Sequence, residues 1–315
     1  MPQLMEPPSP SPTIESAARR LRTTMAAVRL AFTWFGTRKT LTQEQTCQAA
    51  DTFGAQTQYV SARKKLLDTS HPAFKAVTSV RGRAIAFWKG ATLPFPEPGI
   101  RLIRQDDLAP FRVRLTTLQA ELAEAVEQLS DHYRELQSAA RQRLGRLFNV
   151  ADYPATVTGL FAISYDFPSV EPPEYLRHLN PALYEEESAR VASRFDEAVR
   201  LAEEAFIEEL SKLVSHLTER LSGSEDGKPK IFRDSVVENL HDFFERFRHL
   251  NVRSCEQLDD LVNQVQQLTA GVEPKSLRDS QLLRQQIATQ LSGVQSVLDG
   301  LLVDRPRRAL IRRGR

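Results

Sequence analysis

The sequence predicts an all-α protein. Its centre is a long antiparallel helical hairpin, a coiled coil, with a small irregular or β-containing tip. The hairpin packs on a helical bundle formed by the N- and C-terminal segments. Three observations predict this. Two long stretches, 106–148 and 183–222, carry apolar residues at alternating steps of three and four. Neither contains a proline after its first turn, and Gly145 is the only interior glycine. The prolines gather between and outside these arms, where helix must end.

In the first arm the seam is Leu108, Phe111, Leu115, Leu118, Leu122, Ala125 and Leu129. It slips near His132/Tyr133 and continues through Tyr133, Leu136, Ala140, Leu144 and Leu147. The second reads Val191, Phe195, Ala198, Ala202 and Ala205, slips at Glu209, and resumes through Leu210, Leu213, Leu217 and Leu221. A helix reaching roughly 60 Å with one narrow stripe needs a partner. The other arm is the nearest, and Arg134, Arg141, Arg143 and Arg146 would then lie beside Glu185–Glu187. The same spacing also suits two helices of an ordinary bundle, broken where the seams slip.

The remaining elements follow in order. Residues 1–13 form a Pro/Ser-rich leader. A helix is expected over 15–34, from Ile14, Leu21, Met25, Val28, Phe32 and Phe35 on one face. A second covers 42–67, interrupted at Gly54, and a third 72–89, with Pro72 as its first residue and Gly90 as its stop. The prolines of 93–99 impose extended chain, leading into a short strand at 100–104. The tip, 149–182, holds the best strand signal: apolar Val157, Phe161, Ile163, Tyr165 and Phe167 alternate over 157–167. A single strand is not stable alone, so this one folds back, pairs across a bent arm, or pairs with another chain. After a Gly/Ser loop at 223–227, helices are expected over 233–250, 254–270 and 276–303. The division is thus leader 1–13, basic helical region 14–104, hairpin 105–222, C-terminal helices 223–304 and tail 305–315.

Composition bounds the function. The chain has 315 residues, 41% hydrophobic and 26% charged, which suits a folded soluble protein. Cys47 and Cys255 form neither zinc-finger spacing nor a disulfide framework, so a reducing cytoplasm is expected. No signal peptide and no membrane-spanning run are visible. The net charge of +2 conceals a basic head, an acidic middle and a basic tail. Residues 1–104 hold 15 Lys and Arg against 6 Asp and Glu; residues 105–304 hold 21 against 34; residues 305–315 hold six Arg and no acid.

Such ends suit polyanions or the acidic surface of a protein. The contact residues on this reading are Arg63, Lys64, Lys65, Arg101 and Arg104 in the head. Arg305, Arg307, Arg308, Arg312, Arg313 and Arg315 join them in the tail. Arg81 is a different case: it falls inside the apolar stripe Phe74, Val77, Ala84, Ile85 and Trp88 of the third helix. A buried arginine needs a carboxylate or carbonyl partner, or it faces a ligand.

Gly36–Thr40 lacks the upstream glycine and the residue order of a phosphate loop, and is rejected as one. His241, Glu245 and His249 recur every four residues, but without a further ligand they read as a polar flank. No nucleophile elbow, Walker loop, dinucleotide fingerprint or metal cage is present. The sequence therefore predicts no catalytic, cofactor-binding or metal-binding residue and no small-molecule substrate.

The stretches HPAFKAVTSVRGRAIAFWKGATLPFPEPGIRLIR (71–104) and GLFAISYDFPSVEPPEYLRHLNP (159–181) resemble an uncharacterised, mostly helical bacterial family found on plasmids and phages. The likeness covers most of 60–250. It implies a mobile-element setting and carries over no activity. The sequence expectation is a non-enzymatic scaffold or adaptor, associating with itself or another protein through the coiled coil. The alternative is an accessory nucleic-acid-binding protein, and a membrane-acting hairpin is the third reading.

Overall fold

The first helix stops at Thr24, and a strand begins at the next residue. In the computed structural model, which describes residues 12–222, 235–270 and 280–303, α1 spans Pro12–Thr24 and β1 spans Met25–Thr33. The helix expected over 15–34 is thus half strand. From Val28 onward burial alternates residue by residue, with Val28 and Leu30 inside and Arg29 and Ala31 outside, the period of a strand rather than a helix.

The partner of β1 is β6, Ala162–Asp166. The two pair antiparallel, Arg29 opposite Asp166 and Phe32 opposite Ile163. The isolated strand signal of the tip is therefore answered by a segment whose own strand character is hidden among alanines. Short strands β2 (Arg38–Thr40) and β3 (Arg63–Lys65) make a separate ribbon. Strands β4 (Leu93–Pro94) and β5 (Ile100–Arg104) form an antiparallel pair.

The expected helix over 42–67 is reduced to α2, Gln43–Thr52. Its start is fixed by a capping box of Thr42 and Gln45, and β3 occupies its expected far end. Helices α3 (Pro72–Gly90), α4 (Leu108–Leu144), α5 (Leu176–Leu179) and α6 (Pro181–Ser222) follow. Then come α7 (Ser235–Leu250), α8 (Glu256–Thr269) and α9 (Gln281–Val303). The protein is mostly helical with a small antiparallel sheet. No described helix is long and apolar enough to cross a membrane. The leader, the 223–227 loop and the tail lie outside the described residues.

The chain forms two compact units, each assembled from separated stretches. Among described residues, one unit comprises 12–27, 92–105 and everything from 169 onward. Its axis is α6, packed on α1 and α9. Phe195, Ala198, Ala202, Ile207, Leu210 and Val214 are buried along that axis. Ala17, Ala18 and Leu21 from α1 and Leu291, Val294 and Leu298 from α9 belong to the same core. Phe206 packs edge-on against Phe243 and Phe247 of α7.

The other unit comprises 28–91 and 106–168. Here α4 packs on α3 and β6. Phe87 stacks on Phe111 with centroids 5.3 Å apart, and Gln119 Nε2 donates to the Ile163 carbonyl at 2.9 Å. The two arms of the expected hairpin therefore belong to different units, and each has its principal helical partners inside its own. A three-four seam specifies that a helix packs, not which helix covers it. The spacing of the first arm also predicts a helix as far as Phe148. It ends at Leu144, because Gly145 adopts φ 49° and ψ −122°, a conformation side chains oppose.

Candidate nucleic-acid interface

Five of the six residues of the β2–β3 ribbon are cationic. The register places Arg38 opposite Lys65, Lys39 opposite Lys64 and Thr40 opposite Arg63. Backbone bonds from Leu66 N to the Thr37 carbonyl (2.8 Å) and from Leu41 N to the Ala62 carbonyl (3.1 Å) extend the pairing at both ends. Opposed residues share a face and successive residues alternate. The ribbon therefore has two chemically distinct faces.

The inner face holds a counter-ion. Lys39 Nζ and Lys64 Nζ reach the two oxygens of Asp152, each at 2.6 Å. Lys64 also donates to the Leu147 carbonyl at 2.6 Å and is buried. The Lys39 ammonium, then that of Lys64, holds the Asp152 carboxyl below its ordinary range. Tyr153, next in sequence, donates its hydroxyl to the Leu66 carbonyl at 2.9 Å and stacks on Phe148. The segment 147–153 thus anchors the ribbon from beneath.

The outer face is not neutralised. Arg38, Arg63 and Lys65 are exposed and make no ion pair with any described residue. Arg38 and Lys65 stand directly opposite one another, a like-charge pairing that destabilises an isolated ribbon. The connection between the strands carries α2 and a short 3-10 turn, Thr57–Tyr59, tied by Cys47 Sγ and Thr57 Oγ1 at 3.1 Å. Two aromatic residues stand out from it: Phe53 is 84% exposed and Tyr59 81%. Fully presented rings are one component of a stacking surface for bases.

The other predicted residues are distributed differently. Arg101 is turned inward: its Nε donates to Thr92 Oγ1 at 2.6 Å and its Nη2 to the Thr92 carbonyl at 2.7 Å. Burial, and then the charge of Arg246, push its pKa down to about 10, so it remains a cation at neutral pH. Arg104 donates to the His249 carbonyl at 2.9 Å. The six arginines of the tail, Arg305 to Arg315, lie outside the described residues. Arg81 is half-buried, with its guanidinium 5.1 Å from the Phe32 ring centroid and 4.8 Å from that of Trp34. Among the described residues its partners are these aromatic faces, and no carboxylate or carbonyl reaches it. His241 Nε2 lies 3.5 Å from Glu245 Oε1, while His249 contributes its backbone carbonyl to Arg104.

Sequence reasoning missed Arg38, Phe53 and Tyr59. The signal for Arg38 is present in the Arg38–Thr40 and Arg63–Lys65 runs, two short basic stretches with helix-breaking glycine beside one of them. Only their pairing turns them into one surface. No family model, curated protein or solved structure matches the chain. The functional reading therefore rests on the chemistry of the ribbon itself.

Proposed function

We propose that this protein binds single-stranded nucleic acid through the outer face of the β2–β3 ribbon. The observation that carries the reading is the trio Arg38, Arg63 and Lys65, held on one face without acidic partners among the described residues while the opposite face is closed by Asp152. A rigid cationic strip suits a phosphate backbone, and exposed Phe53 and Tyr59 on the intervening connection suit unstacked bases. Association with another protein through the long seams has less to work with. Leu115, Leu118, Leu129, Phe195, Ala202 and Leu210 are already buried within the single chain.

Fluorescence anisotropy with generic single- and double-stranded DNA and RNA, across a salt series, tests this. Three phosphate contacts give a slope of log affinity against log salt of about −2 for single strands. Replacing Arg38, Arg63 and Lys65 together by glutamate removes that slope and weakens binding by roughly tenfold or more. Each of Phe53→Ala and Tyr59→Ala weakens single-strand binding by about 1–3 kcal/mol and leaves duplex binding unchanged. Deleting 305–315 separates any contribution of the tail. Wild-type affinity in the triple variant would sink the proposal.

A further inference from the structure

A second site lies in the same unit, where the start of α3 meets the side of α4. His71 is the N-cap residue of α3, and His132 and Glu135 are one turn apart on α4. The His71 and His132 rings are 5.1 Å apart, centroid to centroid. One ligand atom from each of the three residues lies within 4.8 Å of the other two. His132 Nδ1 is 3.4 Å from Glu135 Oε2, a long contact that a better partner readily displaces.

We propose that His71, His132 and Glu135 bind a divalent transition-metal ion, with Zn²⁺ as the reference ligand. Two imidazoles and one carboxylate are a donor set that zinc accepts, leaving a fourth position for water. Metal–ligand bonds of about 2.0–2.2 Å place tetrahedral donors roughly 3.3 Å apart. The three groups must therefore draw together by up to about 1.5 Å from their present separation. His132 and Glu135 are exposed, so rotation about their side-chain bonds supplies that movement without disturbing the core.

His71 sets the chemistry of closure. Its Nδ1 accepts the Ala73 amide at 3.3 Å, so the neutral ring carries its proton on Nε2. Coordination either exchanges that capping bond for a metal bond at Nδ1, or turns the ring and moves the proton so that Nε2 is free. Each route gives up a helix cap and gains a bond to the ion. The positive end of the α3 dipole opposes a cation here, and the Glu135 carboxylate offsets it. Asp68, nearby in sequence, is already engaged: Oδ1 accepts from Ser70 N at 2.9 Å, and Oδ2 pairs with Arg143 Nη1 at 2.6 Å. The bound ion would add a further tie between α3 and α4 to their apolar contact and the Arg83–Glu121 ion pair.

The test is titration of chelator-stripped full-length protein with Zn²⁺ by calorimetry, and with Co²⁺ by visible absorption. The expected result is one equivalent bound per chain, with the intense visible bands of tetrahedral Co²⁺ and a raised melting temperature with Zn²⁺. His132→Ala and Glu135→Gln each lower affinity by about tenfold or more and abolish those bands. Both positions are exposed, so these variants keep the fold, and an unchanged melting temperature without metal confirms it. His241→Ala binds as wild type does. The proposal is overturned if no metal binds, if binding survives both α4 variants, or if His241→Ala removes it.

Discussion

Lys64 and Asp152 are the pair on which the ribbon's geometry depends. Their side chains are 6% and 3% exposed, so neither charge has water to fall back on. Asp152→Asn leaves the Lys64 ammonium buried beside Leu147 with one carbonyl and no counter-ion. At neutral pH it should cost about 3 kcal/mol. The sign with pH follows from the carboxyl's depressed pKa. Its contribution is complete above the unfolded value of about 3.9 and is lost as pH falls through the lower, folded value. The gap between wild type and Asp152→Asn should therefore narrow below about pH 4. Urea unfolding of both proteins at pH 7 and pH 3 measures it. The double variant Lys64→Met/Asp152→Leu should recover most of the neutral-pH loss, because no orphan charge remains; a double variant as unstable as the single one would refute this account. The basic run 63–65 is legible in the sequence as charge. Which of its members faces water is not, because that depends on the register of β2 against β3 and on Asp152, an acid far along the chain.

At the scale of elements, legibility tracks how local the determining signal is. Helix α3 is readable because Pro72 and Gly90 punctuate it, and β6 because its apolar residues alternate. Strand β1 is not, because Met25–Thr33 contains three alanines, and alanine favours helix on propensity alone. What converts it is β6, with Arg29 forked onto Asp166 at 3.0 and 2.5 Å. The end of α4 gives an element-scale prediction. Gly145 takes φ 49° and ψ −122°, and a Cβ built there meets nothing within 4 Å. Gly145→Ala thus introduces backbone strain without a clash and should destabilise by about 1–3 kcal/mol. Thermal unfolding measures that loss. A neutral result would mean that the chain relaxes by carrying α4 onward toward the Phe148 end that its apolar spacing suggests, and helical circular dichroism would then rise.

For the whole molecule, the decisive issue is what the two long helices need in order to fold. Their sequences support a hairpin: the seams are regular, the arms are of similar length, and their charges are complementary. Their packing supports a different dependence, since α4 rests on α3 and α6 on α1 and α9. The two accounts differ in what a fragment does. A polypeptide of 105–222 contains both arms and the tip, so a self-sufficient hairpin would unfold in one sharp thermal transition. If each helix depends on partners outside that range, the fragment retains at most marginal helix and melts gradually. We expect the gradual melt by circular dichroism. The complementary fragment is 25–168 with 92–105 replaced by a Gly/Ser linker of equal length, which keeps α3, α4, β1 and β6 together and omits α6. It should unfold cooperatively, because the apolar faces of α3, α4 and the β1–β6 pair bury one another. A sharp transition in 105–222 and none in the linked 25–168 fragment would restore the hairpin as the folding unit and remove the two-unit account.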